Sequence, residues 1–343
     1  MALCCGIENR PAYKGSVKNE IGKDGKFVRQ GNLFATPFGD GEGKLKVEPG
    51  RYKLYWAKSC HWSNRASIVR ELLGLENVLD VQIVGREDVG GSNAWTVTND
   101  NGDPDEKSGY RYLYEYYEAA YPGFPGRATV PTVVDQIEKK AVNNDYHKLT
   151  NYFETAFKKY QKKDAPDLYP AELRDEIDSL NEWLFPNVNN ATYRMMFARS
   201  LQAYNEAYED YYKALDYLEE RLEKNRFLFG DYVTDSDVRL YVTLVRWETA
   251  YYRFLGTAEK GLRGYKNLWA YVRDLYVIPA FKHNTYLSDI AHEYGAIDES
   301  NTNFATFNYR FWNEVDYEKI YSEPQNRRDL SKDPANKFKI NND

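Results

Sequence analysis

Residues 51–74 constrain the fold most, because they place one cysteine between a predicted strand and a predicted helix. Apolar and polar residues alternate from Tyr52 to Trp56, a pattern typical of a β-strand. From Trp62 onward, apolar residues recur at offsets of four, seven and eleven, which lines one face of a helix. Gly74 predicts the C-terminal end of that helix. The pattern therefore places Cys60 at a helix N-terminus.

This position predicts a reactive thiol at Cys60. The first backbone N–H groups of a helix have no intrahelical partner and carry partial positive charge, which favours thiolate over thiol. Ser63 stands where a C-x-x-C motif has its second cysteine, so the site is predicted to hold one thiol. Turnover of a disulfide at Cys60 then needs a thiol from outside the chain. The alternative hypothesis is a buried, inert cysteine.

Charge and cysteine content exclude several classes of protein. A chain of 343 residues predicts two domains plus extensions. The net charge of −6 gives no reason to expect nucleic acid or an anionic membrane surface as partner. Of three cysteines, Cys4 and Cys5 are adjacent, which leaves no plausible disulfide framework and favours a reducing cytoplasm.

Targeting, membrane and metal signals are not found in the sequence. The first ten residues lack the apolar core of a signal peptide, and no run approaches the length of a membrane span. The histidines and cysteines do not have the spacing of a zinc site. We therefore expect a cytoplasmic protein without a metal cofactor.

A thioredoxin-like domain is predicted from the order of elements between residues 51 and 160. After the first strand and helix come a strand over Val78–Val84, a loop carrying Trp95, a helix over Ser108–Ala120, strands over Arg127–Asp135 and Lys139–Val142, and a helix from about Asn144. The order β-α-β-α-β-β-α is that of a thioredoxin-like fold. Pro131 interrupts a strand, and a cis Val130–Pro131 peptide bond would resolve that conflict.

The rest of the chain is predicted to be an all-helical domain with extensions. We expect an extended arm over 1–50, a linker over 161–170, a helical domain over 171–294 and a tail over 295–343 whose polar end is disordered or binds a partner. An apolar stripe predicts a helix over Leu201–Lys224. Thr234 and Asp237 have the spacing of a capping box, which opens a buried helix over Val238–Tyr251.

Short segments along the chain carry a resemblance to one family. They are DGKFVR from Asp24, EPGRYKLY from Glu48, Cys60 with Trp62 and Arg65, the Trp95 loop, GRATVP from Gly126, VNN from Val142, DLYP from Asp167, VNN from Val188 with Tyr193, GD from Gly230 with Thr234 and Asp237, VR from Val245 with Tyr251, and NLWAY from Asn267. In this order and spacing, the chain resembles the xi-class glutathione transferases, the glutathionyl-hydroquinone reductases.

The resemblance implies a cysteine-dependent reaction. Cys60 would attack the sulfur of a glutathionyl-hydroquinone, release the hydroquinone, and hold glutathione as a mixed disulfide until a second glutathione removes it. Glutathione would be the co-substrate and an aromatic quinol the substrate. The resemblance also implies a homodimer.

It further implies roles for individual residues. Trp95, Val130 and Pro131 would line the glutathione, with Arg127 a further candidate. Tyr193 and Tyr251 would face the aromatic substrate, where phenolic hydroxyls can donate hydrogen bonds to quinol oxygens. The alternative for the two tyrosines is core packing, and the alternative for Trp95 is a loop anchor.

The sequence departs from the family at His61, where proline is usual. A protonated His61 could stabilise the thiolate, a neutral one could give a proton to the leaving group, and the third reading is a merely exposed residue.

A second departure concerns recognition of the thiol. After Val142-Asn-Asn the family has Glu-Ser, which takes the γ-glutamyl ammonium and carboxylate, whereas this chain has Asp145 and Tyr146. Aspartate keeps the charge but is shorter, and tyrosine cannot place its hydroxyl where serine does. Two alternatives follow: the same chemistry with another low-molecular-weight thiol, or a non-catalytic binding protein that keeps the fold.

Overall fold

The computed structural model describes residues 17–89, 92–257, 260–293 and 314–340. The chain divides into two compact units. The first, called the sheet unit, holds the described residues within 1–23, 28–57 and 74–161. The second, called the helical unit, holds those within 24–27, 58–73 and 162–343. Cys4 and Cys5 lie outside the described residues, and the predicted domain boundaries stay a prediction.

The sheet unit is built on a four-stranded mixed sheet. Its strands and those of a separate hairpin are β1 Tyr52–Trp56, β2 Asp80–Ile83, β3 Gly85–Val89, β4 Ser92–Thr96, β5 Thr132–Asp135 and β6 Lys140–Asn143. The sheet order is β2-β1-β5-β6, with β1 parallel to β2 and antiparallel to β5. Leu54 of β1 and Val133 of β5 are paired and fully buried. The two central strands, β1 and β5, therefore carry the core of this unit.

Twelve α-helices lie in the described residues. They are α1 His61–Leu73, α2 Leu113–Ala120, α3 Leu149–Glu154, α4 Arg174–Leu184, α5 Ala191–Phe197, α6 Leu201–Lys224, α7 Asp235–Arg246, α8 Tyr252–Phe254, α9 Lys266–Tyr276, α10 Pro279–His283, α11 Leu287–Glu293 and α12 Tyr317–Ser322. The thioredoxin-like order of the first six predicted elements and the all-helical second half are confirmed. No helix among the residues described is both long and apolar enough to cross a membrane.

Two predictions in the sheet unit are wrong in detail. The segment around Trp95 was expected to be a loop, but β3 and β4 pair as an antiparallel hairpin, with Arg86 opposite Trp95. Helix α2 begins at Leu113 rather than near Ser108. Asp105 accepts hydrogen bonds from the backbone N–H groups of Lys107 and Ser108, and this local turn competes with the helix.

Helix α7 is the buried centre of the helical unit. All twelve of its residues are buried. Its N-terminus has the predicted capping box, in which the Thr234 backbone N–H donates to Asp237 Oδ2 at 2.8 Å. Asp237 Oδ1 also accepts from the Leu228 N–H and the Tyr271 hydroxyl. Burial raises the pKa of the Asp237 carboxyl.

The described residues of the predicted tail pack within the helical unit, so the expectation of a disordered end does not hold for them. Tyr317 and Tyr321 of α12 are buried in the helical unit, and the polar end is bonded to it through the backbone. The Val233 N–H donates to the Lys337 carbonyl at 2.9 Å, and the Asp167 N–H donates to the Lys339 carbonyl at 2.8 Å. Residues 332–340 therefore form part of this unit, and their polar composition did not indicate it.

A buried charge cluster anchors this segment. Asp274 of α9 is fully buried and accepts from Arg226 at 2.9 Å and from Lys337 Nζ at 2.8 Å. Burial opposes ionisation of Asp274, but the hydrogen bond from Arg226 and the charge of Lys337 hold the pKa of its carboxyl below the usual value. Arg327, also buried, donates to the Leu222 carbonyl at 2.9 Å.

Two lysines of the same segment test this anchor. Replacing Lys337 by Met should lower the free energy of unfolding by about 1–3 kcal/mol, because a buried charged hydrogen bond to Asp274 is lost. Lys339 pairs with Glu172 at the exposed surface, so Lys339→Met should cost below about 1 kcal/mol. Urea denaturation of both variants measures the difference, and equal losses would contradict the buried anchor.

Candidate active site

Cys60 lies at the N-terminus of α1, as the sequence predicts. Its carbonyl accepts the Asn64 N–H at 3.0 Å, which is the first hydrogen bond of the helix. Its side chain is half-buried and forms no disulfide among the described residues. The first N–H groups of α1 are thus directed toward the segment that carries the thiol. Ser63, one turn on, is fully buried, so the second position of the C-x-x-C pattern holds a buried hydroxyl.

His61 is fully buried, so the reading of an exposed residue is wrong. Its ring centroid lies 4.2 Å from that of Trp62, 5.1 Å from that of Tyr193 and 6.4 Å from that of Tyr251. Its Nδ1 lies 3.3 Å from Thr243 Oγ1 of α7. The residue after the cysteine therefore joins α1 to α5 and α7 through an aromatic cluster.

The two tyrosines differ in exposure. Tyr193 of α5 is half-buried, and its ring also contacts that of Trp62, with centroids 5.7 Å apart. Tyr251 is fully buried at the end of a π-helical turn, Trp247–Tyr251, which follows α7. Such turns are frequent at functional sites. Both predicted tyrosines thus lie around His61, but Tyr193 has the greater access to solvent.

Arg246 holds the segment before the cysteine. It is the last residue of α7 and is fully buried. Its Nε donates to the Ser59 carbonyl at 3.0 Å, and its Nη2 donates to the Lys58 carbonyl at 3.3 Å. Its Nη1 donates to Asn64 Oδ1 at 3.0 Å and to the Val242 carbonyl at 2.9 Å. One side chain therefore ties α7 to both sides of Cys60.

The residues predicted to bind glutathione lie in the sheet unit. The Val130–Pro131 peptide bond is cis, as predicted. The preceding turn is held by Tyr117, whose hydroxyl donates to the Thr129 carbonyl at 2.9 Å. Trp95 lies in β4, where the Arg86 guanidinium is 4.2 Å from the centroid of its indole ring. A cation–π contact of this kind fixes the orientation of the ring.

Arg127 is already paired with an anion. Its Nε lies 2.6 Å from Glu20 Oε1 and its Nη2 lies 2.5 Å from the same oxygen. The Glu20 side chain is buried, and the Gln30 side chain bonds both the N–H and the carbonyl of Arg127. The guanidinium therefore holds the arm within the sheet unit, and its charge is balanced before any ligand binds.

The carboxylate of Asp145 also has hydrogen-bond partners within the sheet unit. Its Oδ1 accepts the Asn32 amide at 3.2 Å and the His147 backbone N–H at 3.0 Å. The latter is a local turn, which explains why α3 begins at Leu149 and not near Asn144 as predicted. The Tyr146 ring packs on His147, with centroids 4.4 Å apart.

Comparison with known proteins finds relatives that agree on one family. Residues 202–274 match the family described as glutathione S-transferase, C-terminal domain. The chain is similar to glutathionyl-hydroquinone reductase PcpF of Sphingobium chlorophenolicum, with 37% identity over 245 residues, 71% of this chain and 76% of that protein. The chain belongs to the xi class of the glutathione transferases.

Solved structures agree with this assignment. The glutathione S-transferase Xi from Phanerochaete chrysosporium aligns with a TM-score of 0.73 and 34% identity over 80% of this chain and 89% of that one. The glutathione-bound structure of YqjG, a glutathione transferase homologue from Escherichia coli K-12, aligns with a TM-score of 0.68 and 32% identity over 79% and 89%. Membership confirms the predicted fold and identifies this xi-class protein as a glutathione-dependent enzyme.

Some residues of this xi-class transferase could not be identified from the sequence, because their hydrogen-bond partners lie far away in the chain. No role was predicted for Arg246, although a charged residue in an otherwise apolar run was a signal. Glu20, Asn32 and Asn64 carried no signal, since their partners are identified only in the folded chain. Within the described ranges, no group of three or more His, Cys, Asp or Glu side chains is placed to hold a metal ion.

Proposed function

We propose that this protein reduces glutathionyl-hydroquinones to hydroquinones through a mixed disulfide at Cys60. The observation that carries the proposal is the half-buried Cys60 thiol at the N-terminus of α1, followed directly by a buried histidine that packs against two tyrosines. The relative PcpF is named as a glutathionyl-hydroquinone reductase, and the YqjG structure holds glutathione.

The reaction has two steps. In the first, the Cys60 thiolate attacks the glutathione sulfur of the conjugate, the bond from that sulfur to the aromatic carbon breaks, and the carbon takes up a proton. The products are the hydroquinone and a Cys60–glutathione disulfide. In the second, a glutathione thiolate attacks the glutathione sulfur of this disulfide, releases oxidised glutathione, and restores the Cys60 thiolate. One glutathione is consumed for each conjugate reduced.

Other residues support the two steps. The N–H groups at the start of α1 stabilise the thiolate as nucleophile and as leaving group. Tyr193 and Tyr251 donate hydrogen bonds to the quinol oxygens, which stabilises the charge that develops on the ring. Trp95, Val130 and Pro131 contact the glutathione. We also propose, from the family, that the protein is a cytoplasmic homodimer.

Removal of the sulfur tests the mechanism. Steady-state reduction of a glutathionyl-hydroquinone by glutathione should fall by about three orders of magnitude or more in Cys60→Ala, because the nucleophile is lost. Ser63→Ala is the matched control on the next turn and should keep its rate, since a one-thiol mechanism does not use this position. Chromatographic detection of the hydroquinone measures both variants. Activity retained by folded Cys60→Ala protein would refute the proposal.

The tyrosines are tested by removing one oxygen each. Tyr193→Phe and Tyr251→Phe keep the rings against His61 but lose the hydroxyl, so kcat should fall roughly tenfold for each. Tyr241→Phe is the control, because its hydroxyl lies 2.9 Å from Thr285 Oγ1 and its ring packs on Phe281. A loss of the same size in Tyr241→Phe, or none in the other two, would assign the pair to core packing.

A second candidate is the same chemistry with a different thiol. It is favoured by Asp145, whose Oδ1 already accepts two hydrogen bonds within the sheet unit, and by Tyr146 in place of the family's serine. A lost charged hydrogen bond is worth about 1.5–3 kcal/mol, or one to two decades of affinity.

Thiols with and without the γ-glutamyl group distinguish the two candidates. If Asp145 and Tyr146 fail to recognise that group, glutathione and cysteinylglycine should support turnover within about tenfold of each other. The double variant Asp145→Glu with Tyr146→Ser should then increase the preference for glutathione by roughly tenfold or more, measured as kcat/KM. A preference of roughly a hundredfold in the wild type would reject the second candidate.

A further inference from the structure

Arg246 carries a buried charge that has no carboxylate partner among the described residues. Its four hydrogen bonds go to three backbone carbonyls and to the amide oxygen of Asn64. Two other buried arginines of the helical unit are paired differently, since Arg226 contacts Asp274 and Arg239 contacts Asp235. Carbonyl dipoles stabilise a guanidinium, but they leave its full positive charge in the protein interior.

The position of this charge points to Cys60. The carbonyl that accepts from Nε belongs to the Ser59–Cys60 peptide, whose nitrogen is that of the cysteine. A hydrogen bond to that carbonyl polarises the peptide and makes the Cys60 N–H a stronger donor. A thiolate at Cys60 would supply the negative charge that Arg246 lacks, and its stability would in turn depend on the guanidinium.

Among the described residues of the helical unit, the nearest titratable neighbour is His61, which directly follows Cys60 and packs on Tyr193 and Tyr251. Lys58 lies 4.0 Å from Asp289 of α11 and 4.8 Å from the centroid of the Tyr286 ring, and its side chain is partly exposed. Arg65, on the second turn of α1, stacks on Trp62. The pair of Glu71 and His283 is at the far end of α1. Arg246 bonds the backbone carbonyls of Lys58 and Ser59 before the cysteine and the Asn64 side chain after it.

We propose that Arg246 is a positioning residue for Cys60, because its buried guanidinium fixes the Lys58–Ser59 backbone against the first turn of α1 and favours the ionised thiol. The inference rests on the proposed function in that Cys60 is taken as the nucleophile. It assigns to the end of α7 a role in the chemistry at the start of α1, and α1 packs directly against α7.

The test is the pH dependence of Cys60 alkylation by iodoacetamide, followed by mass spectrometry in full-length protein without substrate. In Arg246→Gln, which removes the charge, the pH midpoint of alkylation should rise by about one unit. In Arg246→Lys, which keeps the charge but cannot reach all four acceptors, the midpoint should rise by less than half as much. Above both midpoints, the wild type and the variants should react at similar rates.

Arg239→Gln is the matched control, since Arg239 is another buried arginine of α7 and its guanidinium pairs with Asp235. An unchanged midpoint in Arg246→Gln, or an equal rise in Arg239→Gln, would overturn the inference. If Arg246→Gln does not fold, Arg246→Lys decides, because its midpoint must lie above that of the wild type. Circular dichroism identifies which variants are folded.

The outcome is independent of turnover. A shifted midpoint in a protein that reduces no glutathionyl-hydroquinone would refute the proposed function and keep the role of Arg246. Cys60-dependent turnover with an unshifted midpoint would keep the proposed function and refute the role of Arg246.

Discussion

A fully buried helix must satisfy each of its polar groups from within the protein, and α7 imposes this constraint on the helical unit. At its first turn, Asp237 accepts hydrogen bonds from the N–H groups of Thr234 and Leu228 and from the hydroxyl of Tyr271. At its last turn, Arg246 finds its acceptors in the backbone before Cys60. The polar groups of the helix thus position segments that are remote in sequence, including the one that carries the thiol.

Features that depend on local signals could be predicted from the sequence. The helix Leu201–Lys224 was predicted at both ends, because its apolar stripe lies within the segment itself. The same is true of Cys60 before α1 and of the Thr234 capping box. Local competition was harder to judge, since Asp105 forms a turn where apolar spacing alone predicted a helix.

Features that depend on distant partners could not be predicted. Glu20 and Arg127 are 107 residues apart, and nothing near either residue indicates the pair. The polar end of the chain has the composition of a disordered tail, yet Lys337 is bonded to Asp274 of α9. Composition does not distinguish a solvated lysine from one that pairs with a buried carboxylate. His61 is a similar case, because its burial follows from the rings of α5 and of the turn after α7.

Neither compact unit is a continuous piece of chain. The backbone passes between the sheet unit and the helical unit after residues 23, 27, 57, 73 and 161. During synthesis, α1 with Cys60 leaves the ribosome well before α7, against which it packs. The Cys60 thiol therefore emerges before the helix that buries its neighbour His61 exists. During translation the cysteine is therefore made before its folded environment. Because each unit consists of several chain segments, no single truncation of the gene would produce either unit intact.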